Sequence, residues 1–202
     1  MSFEDLWSRL WATRFGPNDV RLRFELGGEF DDSNEQVPRF LQAHRRASAI
    51  ADALFHEGCI GIAAWNGRRP CPAGLDDGVK DAFEAFRSTG FQATQIGEWR
   101  AELYPADDDD AYIWNVRSYD LGQDKTARDT LIWHAIAYEM PIHPSAPVIT
   151  FLLDPVASVM LHIYDDRGLD VIALDADKLR GIYDSFADWL LDYDLERMRK
   201  LF

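Results

Sequence analysis

The sequence is poor in cysteine and in basic residues, and it has no long apolar run. Cys59 and Cys71 are the only cysteines among 202 residues and form no C-x-x-C pair. Cys59 opens an apolar run and reads as a small core residue, and Cys71 lies between two prolines in a loop. Free thiols point to a reducing compartment, the cytoplasm. No stretch approaches the roughly 18 apolar residues of a membrane span. The start, MSFEDLWSRLWATRF, lacks the basic n-region and small-residue cleavage site of a signal peptide. Lys and Arg number 21 against 35 Asp and Glu, for a formal net charge of −14. That balance argues against nucleic acid or a membrane surface as partner. There is no G-x-S-x-G, no Walker motif, no G-x-G-x-x-G and no internal repeat. His134 and His143 flank Glu139, but Pro141 breaks any shared helix, so the spacing is not that of a zinc helix. Neither a cofactor nor a metal is expected.

What is present is ample material for a core. Hydrophobic residues make up 47% of the chain, with seven Trp and twelve Phe, which argues for one folded domain over residues 1–202. Ser2 can cap a helix running to about Phe15, with Leu6, Trp7, Leu10 and Trp11 at helical spacing. VRLRFEL alternates apolar and charged residues as a half-buried strand does. A long helix is expected from about Val37 to Phe55, then a strand at CIGIAAW and a helix over LDDGVKDAFEAFRSTG. EWRAELY and AYIWNVRSY read as strands, ARDTLIWHAIAYEM as a helix, and PVITFLL, SVMLHIY and LDVIAL as three closely spaced strands. A last helix is expected from Asp175 to about Tyr193. The late strands lie too close together for crossover helices. The expected class is therefore α+β, a mainly antiparallel sheet with helices on one face and at its ends.

The stretch YDDRG, Tyr164 to Gly168, reads first as a hairpin turn. Asp165 suits the first position of a type I turn, and Gly168 would supply a left-handed conformation for a G1 bulge. Setting Ile163 opposite Val171 and His162 opposite Ile172 puts Leu161, Ile163, Val171 and Ala173 on one apolar face. The other face would carry a polar patch of His162, Tyr164 and Asp170, with Asp166 and Arg167 displayed at the tip.

RFELGG at 23–28, RASAIADALF at 46–55, IYDDRGLDVIA at 163–173 and LRGIYDSFADWLLDYD at 179–194 occur in that order. With them the chain resembles a bacterial family known only as a domain of unknown function. The resemblance implies a small cytoplasmic α/β-type domain and brings no catalytic residues.

The acidic charge is uneven. Residues 1–105 hold 12 basic and 16 acidic groups, residues 106–202 hold 9 and 19. Two features concentrate it. Asp107, Asp108, Asp109 and Asp110 form an acidic loop without the spaced ligands of a calcium site. On the expected last helix, Leu179, Ile182, Tyr183, Phe186 and Leu190 form a buried stripe, and Asp177, Asp184, Asp188 and Asp192 line the opposite face. Like charges at i, i+4 destabilise a helix, so a retained ridge of this kind is either a solvated acidic face or a surface in use. The expected function is a non-enzymatic acidic domain binding a basic protein, such as an immunity protein against a nuclease-type toxin. The alternative is an enzyme with a polar pocket near the YDDRG hairpin.

Overall fold

The computed structural model describes residues 2–14, 19–28, 35–66, 82–104 and 112–202. Its α-helices are α1 (Phe3–Thr13), α2 (Gln36–Leu54), α3 (Ala82–Ser88), α4 (Lys125–Ala137), α5 (Arg180–Ser185) and α6 (Leu195–Arg199). Its strands are β1 (Arg21–Glu25), β2 (Cys59–Trp65), β3 (Thr94–Glu102), β4 (Ile113–Gly122), β5 (Ile149–Asp154), β6 (Val159–Ile163) and β7 (Gly168–Ala173). All seven strands join one sheet in the order β1-β7-β6-β5-β2-β4-β3. Every neighbouring pair is antiparallel. The architecture is α+β. Among the described residues no helix is long and apolar enough to cross a membrane.

Local chemistry sets the element ends. The Ser2 hydroxyl accepts from the Asp5 backbone N–H while the Asp5 carboxylate accepts from Ser2, a reciprocal cap that starts α1. The Asp124 side chain accepts from Ala127 N–H at 3.0 Å and starts α4. Gly58, between α2 and β2, has φ of +113°, and a Cβ there would lie 2.6 Å from the Gly122 carbonyl oxygen. Only glycine suits that corner.

Both faces of the sheet are covered. On one, Leu22, Phe24, Leu26, Leu161, Ile163, Leu169 and Val171 form the main core with Phe40, Ile50, Leu131 and Ile136 of α2 and α4. On the other, Leu6, Trp7, Leu10 and Trp11 of α1 pack on Ile62, Phe151, Met160 and Ile172. This corrects the expectation of helices on one face and at the ends. The apolar stripe of α1 needs burial, and the second face of the sheet is apolar enough to supply it.

The β6–β7 hairpin forms, with two corrections. Ile163 pairs with Leu169, His162 with Asp170 and Leu161 with Val171, a partner shift of two from the expected register. Because side chains alternate with period two, such a slip leaves every residue on its expected face. Gly168 does not have positive φ, since Gly58, Gly90 and Gly122 are the described glycines that do. It opens β7 opposite Glu25 of β1. A Cβ on Gly168 would lie 2.7 Å from the Phe24 carbonyl oxygen and would collide with the Tyr164 hydroxyl. Room, not handedness, requires glycine there.

The last helix is also corrected. Residues 176–179 form a 3-10 turn, α5 ends at Ser185, and Ala187–Trp189 form a second 3-10 turn. The chain extends at Leu190 and Leu191, with ψ of 138° and 115°. A third 3-10 turn, Asp192–Asp194, leads into α6. The apolar stripe still reaches the core through Leu179, Ile182 and Leu190. The break serves the edge strand β1. Leu190 bridges Phe24, and Leu191 N–H donates to Arg23 O at 2.9 Å. Filling backbone groups along a sheet edge outweighs continuing one helix.

Candidate functional site

The two sequence motifs meet at one corner of the molecule. Glu25 pairs with Gly168, and Leu26 N–H donates to Arg167 O at 2.9 Å. The Leu26 carbonyl accepts from Gln42 at 3.1 Å and Arg46 at 3.3 Å, both on α2. Within the turn, Asp165 is buried, and its carboxylate accepts from the Arg167 backbone N–H and Nε, each at 2.7 Å. Asp166 pairs with Arg39 in the first turns of α2. The turn is thus tied to β1 and α2 by its backbone and by both aspartates.

On the α1 side of the sheet Asp170 is 0% exposed. Arg21 donates to it at 3.0 Å and Arg23 at 3.2 Å. Arg21 also pairs with Asp19 at 2.7 Å. Arg197 of α6 stands 3.6 Å from Asp19 and donates to the carbonyls of Asp19 and Arg21 at 3.1 and 3.0 Å. A chain of charges therefore runs from β7 through β1 to α6. Arg14 is held below its ordinary pKa by burial, against the raising effect of Asp170. Arg23 is buried in part, which disfavours its charge, yet Asp170 and the Tyr164 and Tyr193 hydroxyls outweigh that and raise its pKa. Burial, then the charge of Asp170, pushes Tyr164 well above the usual phenol range, so its hydroxyl stays protonated.

Beside this network lies a cleft of about 520 Å³. Arg23, Arg39 and Arg167 line it with Tyr164, Tyr193, Glu25, Gly28 and Leu191. The Arg23 guanidinium donates to the Tyr193 hydroxyl and lies 5.1 Å from its ring centroid. A second cavity, about 400 Å³, is lined by His44, Thr89, Asp129, Thr130, Trp133 and His134. Thr89 donates to Phe86 O at 2.6 Å, so His134 Nε2–H donates to Thr89 at 2.5 Å. Burial lowers His134 to about 4, and it is neutral at pH 7. Ser48 lies 3.5 Å from His44 Nδ1 and 3.3 Å from an Asp129 carboxylate oxygen. The other His44 nitrogen faces the Asp129 backbone carbonyl at 3.4 Å, so the imidazole lies between a serine hydroxyl and a carbonyl oxygen.

The expected site residues separate. His162, Tyr164 and Asp170 do not form an open polar patch. His162 is stacked on Phe151 at 4.6 Å with Trp11 edge-on at 4.9 Å, and Asp170 is buried under arginines. The aromatic stripe of α1 covers that face. Tyr164 and Arg167 do line the cleft, and Asp166 stands behind it. Asp184, Asp188 and Asp192 are exposed but lie in α5 and two separate 3-10 turns, so the expected ridge on one helix is not formed. Asp177 is likewise exposed, in the first 3-10 turn. Asp107, Asp108, Asp109, Asp110 and Cys71 lie outside the described residues. Among those residues, no group of three or more His, Cys, Asp or Glu could hold a metal ion. Sequence reasoning missed Arg21, Arg23, Arg39 and Tyr193. A lone aspartate inside the apolar strand LDVIAL is the signal that calls for buried cations, and the alternating arginines of VRLRFEL answer it.

Residues 2–194 match the model of a family described as a domain of unknown function, DUF3885, and the chain belongs to that family. No curated protein and no solved structure matches it.

Proposed function

We propose that this member of the DUF3885 family is a non-enzymatic acidic domain that binds a basic protein partner. An immunity protein neutralising a nuclease-type toxin in the bacterial cytoplasm is the most specific form of this reading. The observation that carries it is the trio Asp184, Asp188 and Asp192, exposed side chains that make no hydrogen bond or ion pair among the described residues. The net charge of −14 gives the trio a field of the same sign around it. Charge of this kind speeds encounter with an opposite surface and selects against other partners.

The test uses the Asp184→Asn, Asp188→Asn, Asp192→Asn triple variant. Affinity capture on the wild-type chain identifies the partner, and stopped-flow mixing at low and high salt compares the two forms. The variant is expected to associate about tenfold more slowly at low salt, with a shallower salt dependence. Folding stability is expected to be unchanged, because the three aspartates share no helix and relieve no i, i+4 repulsion. Equal rates at low salt would remove this surface from the reading and leave Asp107 to Asp110 as the candidate. The alternative, an enzyme near the YDDRG hairpin, draws support from the cleft. Its wall of guanidiniums, phenols and one carboxylate is better suited to holding a ligand than to attacking one.

A further inference from the structure

We propose that the cleft between β1, α2, the β6–β7 turn and the C-terminal segment binds a small organic anion through its carboxylate or phosphate group. This is independent of the acidic surface and of any protein partner. Three observations carry it.

The first is the wall itself. In a chain where acids outnumber bases 35 to 21, the cleft presents three guanidiniums and one carboxylate. Its volume of about 520 Å³ is that of a small-ligand site. Guanidinium groups offer planar paired donors that match carboxylate and phosphate oxygens.

The second is preorganisation. Each arginine is gripped from behind by a carboxylate: Arg23 by Asp170, Arg39 by Asp166 and Arg167 by Asp165. Arg167 uses Nε and Nη2 for Asp165, with Glu139 a further 3.8 Å contact to Nη2. Its Nη1 has no partner among the described residues, and its side chain is 69% exposed. A directed donor thus stands ready at the mouth of the cleft. Because the backing acids nearly neutralise the cluster, recognition relies on aimed N–H groups rather than on net field. That suits a single small oxyanion and not a polyanion.

The third is the remainder of the wall. Leu191 and the Tyr193 ring, 73% exposed, give an apolar rest for the body of such a ligand. Glu25 is exposed on the same wall, and its carboxylate lies against Gly28 without a hydrogen-bond or ion-pair partner among the described residues. It competes with an incoming anion for the same donors.

Glu25 and Arg167 therefore act with opposite sign. Inorganic phosphate, phenyl phosphate and benzoate are titrated into the full chain by calorimetry, with arginine Nε–H resonances followed by NMR. Phenyl phosphate or benzoate is expected to shift the Arg23, Arg39 and Arg167 signals and to bind more tightly than phosphate alone. The better of the two identifies the head group. Arg167→Gln should weaken binding tenfold or more, and it should also lower the thermal midpoint because it takes the guanidinium from buried Asp165, so binding is compared at a temperature where both forms are folded. Glu25→Gln should tighten binding several-fold. The proposal is overturned if no probe shifts these resonances at about 10 mM, where even a millimolar complex is largely formed. It is equally overturned if the ligand binds Arg167→Gln as well as wild type, or if Glu25→Gln weakens it.

Discussion

Strands β1 and β3 both end the sheet, yet β1 is covered by other parts of the chain while β3 faces solvent along most of its length. The β1 edge is filled by Leu190 and Leu191, by the two Arg197 hydrogen bonds to carbonyls, and by a sulfur contact from Met198 to the Arg23 N–H at 3.1 Å. Among the described residues the β3 edge has no such cover. It carries Glu98, Arg100 and Glu102 on its exposed positions and an irregularity in register between Gln95 and Gly97. An edge can be closed by chain or guarded by charge and a bulge. Closing it by chain brings Arg21, Arg23 and Asp170 out of water, so that edge depends on a complete ion network. The corner carrying the anion cleft exists because of that closure, since Leu191 and Tyr193 form one of its walls.

The largest expected effect is at Asp170. Asp170→Asn leaves Arg21 and Arg23 without their shared buried counter-charge, which should cost about 3–5 kcal/mol. Urea unfolding measures it. A loss under about 1 kcal/mol would mean that the β1 edge is held by packing and that the ion network is incidental.

Arg197→Ala comes next. It removes charge-assisted bonds to two carbonyls and to Asp194, for an expected loss of about 2 kcal/mol. It also bares part of the β1 edge, so sedimentation should show concentration-dependent association that wild type lacks. The same bond has an acid signature. Burial raises the pKa of Asp194, but the Arg197 hydrogen bond and charge outweigh it, and the carboxyl titrates below its ordinary value of 3.8. As pH falls, the unfolded chain takes up that proton first. The stabilisation is present above the ordinary value and is lost as pH falls through the lower folded one. Asp194→Asn should remove this part of the acid limb.

A smaller loss is expected for Gly168→Ala. The added Cβ meets the Tyr164 hydroxyl and the Phe24 carbonyl, overpacking worth about 1–2 kcal/mol. In a Tyr164→Phe background the cost should fall, because the hydroxyl collision is gone. Equal costs in both backgrounds would mean that the Phe24 carbonyl alone sets the constraint.

These residues also mark how far the sequence could be read. Each of the seven strands was legible from its alternation or its apolar run, and the order of elements followed. The faces of the hairpin survived a register error because a slip of two preserves alternation. The Gly168 requirement was right in residue and wrong in cause. The collision comes from Phe24 and Tyr164, the first 144 residues distant, and no local turn rule contains it. The last helix failed for the same kind of reason. Its apolar period was sound, but the demand that broke it at Leu190 came from an edge strand near the start of the chain. Asp170 was visible as a polar residue in an apolar strand, while its partners Arg21 and Arg23 could be found only by pairing β7 with β1.

The last prediction turns to the unprotected edge. At β3 the guards are the exposed charges, with Glu98 in a loose pair 3.4 Å from Arg117. Replacing Glu98 and Arg100 by valine keeps the strand pattern and improves its β-propensity, so monomer stability should change by no more than about 0.5 kcal/mol. What should change is association. A flat apolar edge with free N–H and C=O groups templates pairing with a second copy. Light scattering and sedimentation should show dimers or larger species for the double variant at concentrations where wild type is unchanged. Placing one lysine at position 98 of the double variant should reverse this, since a single charge on an edge disfavours a paired neighbour. If the valine variant stays as dispersed as wild type, the register irregularity at Gln95 to Gly97 alone suffices to guard the edge. The two edges would then differ in geometry rather than in charge.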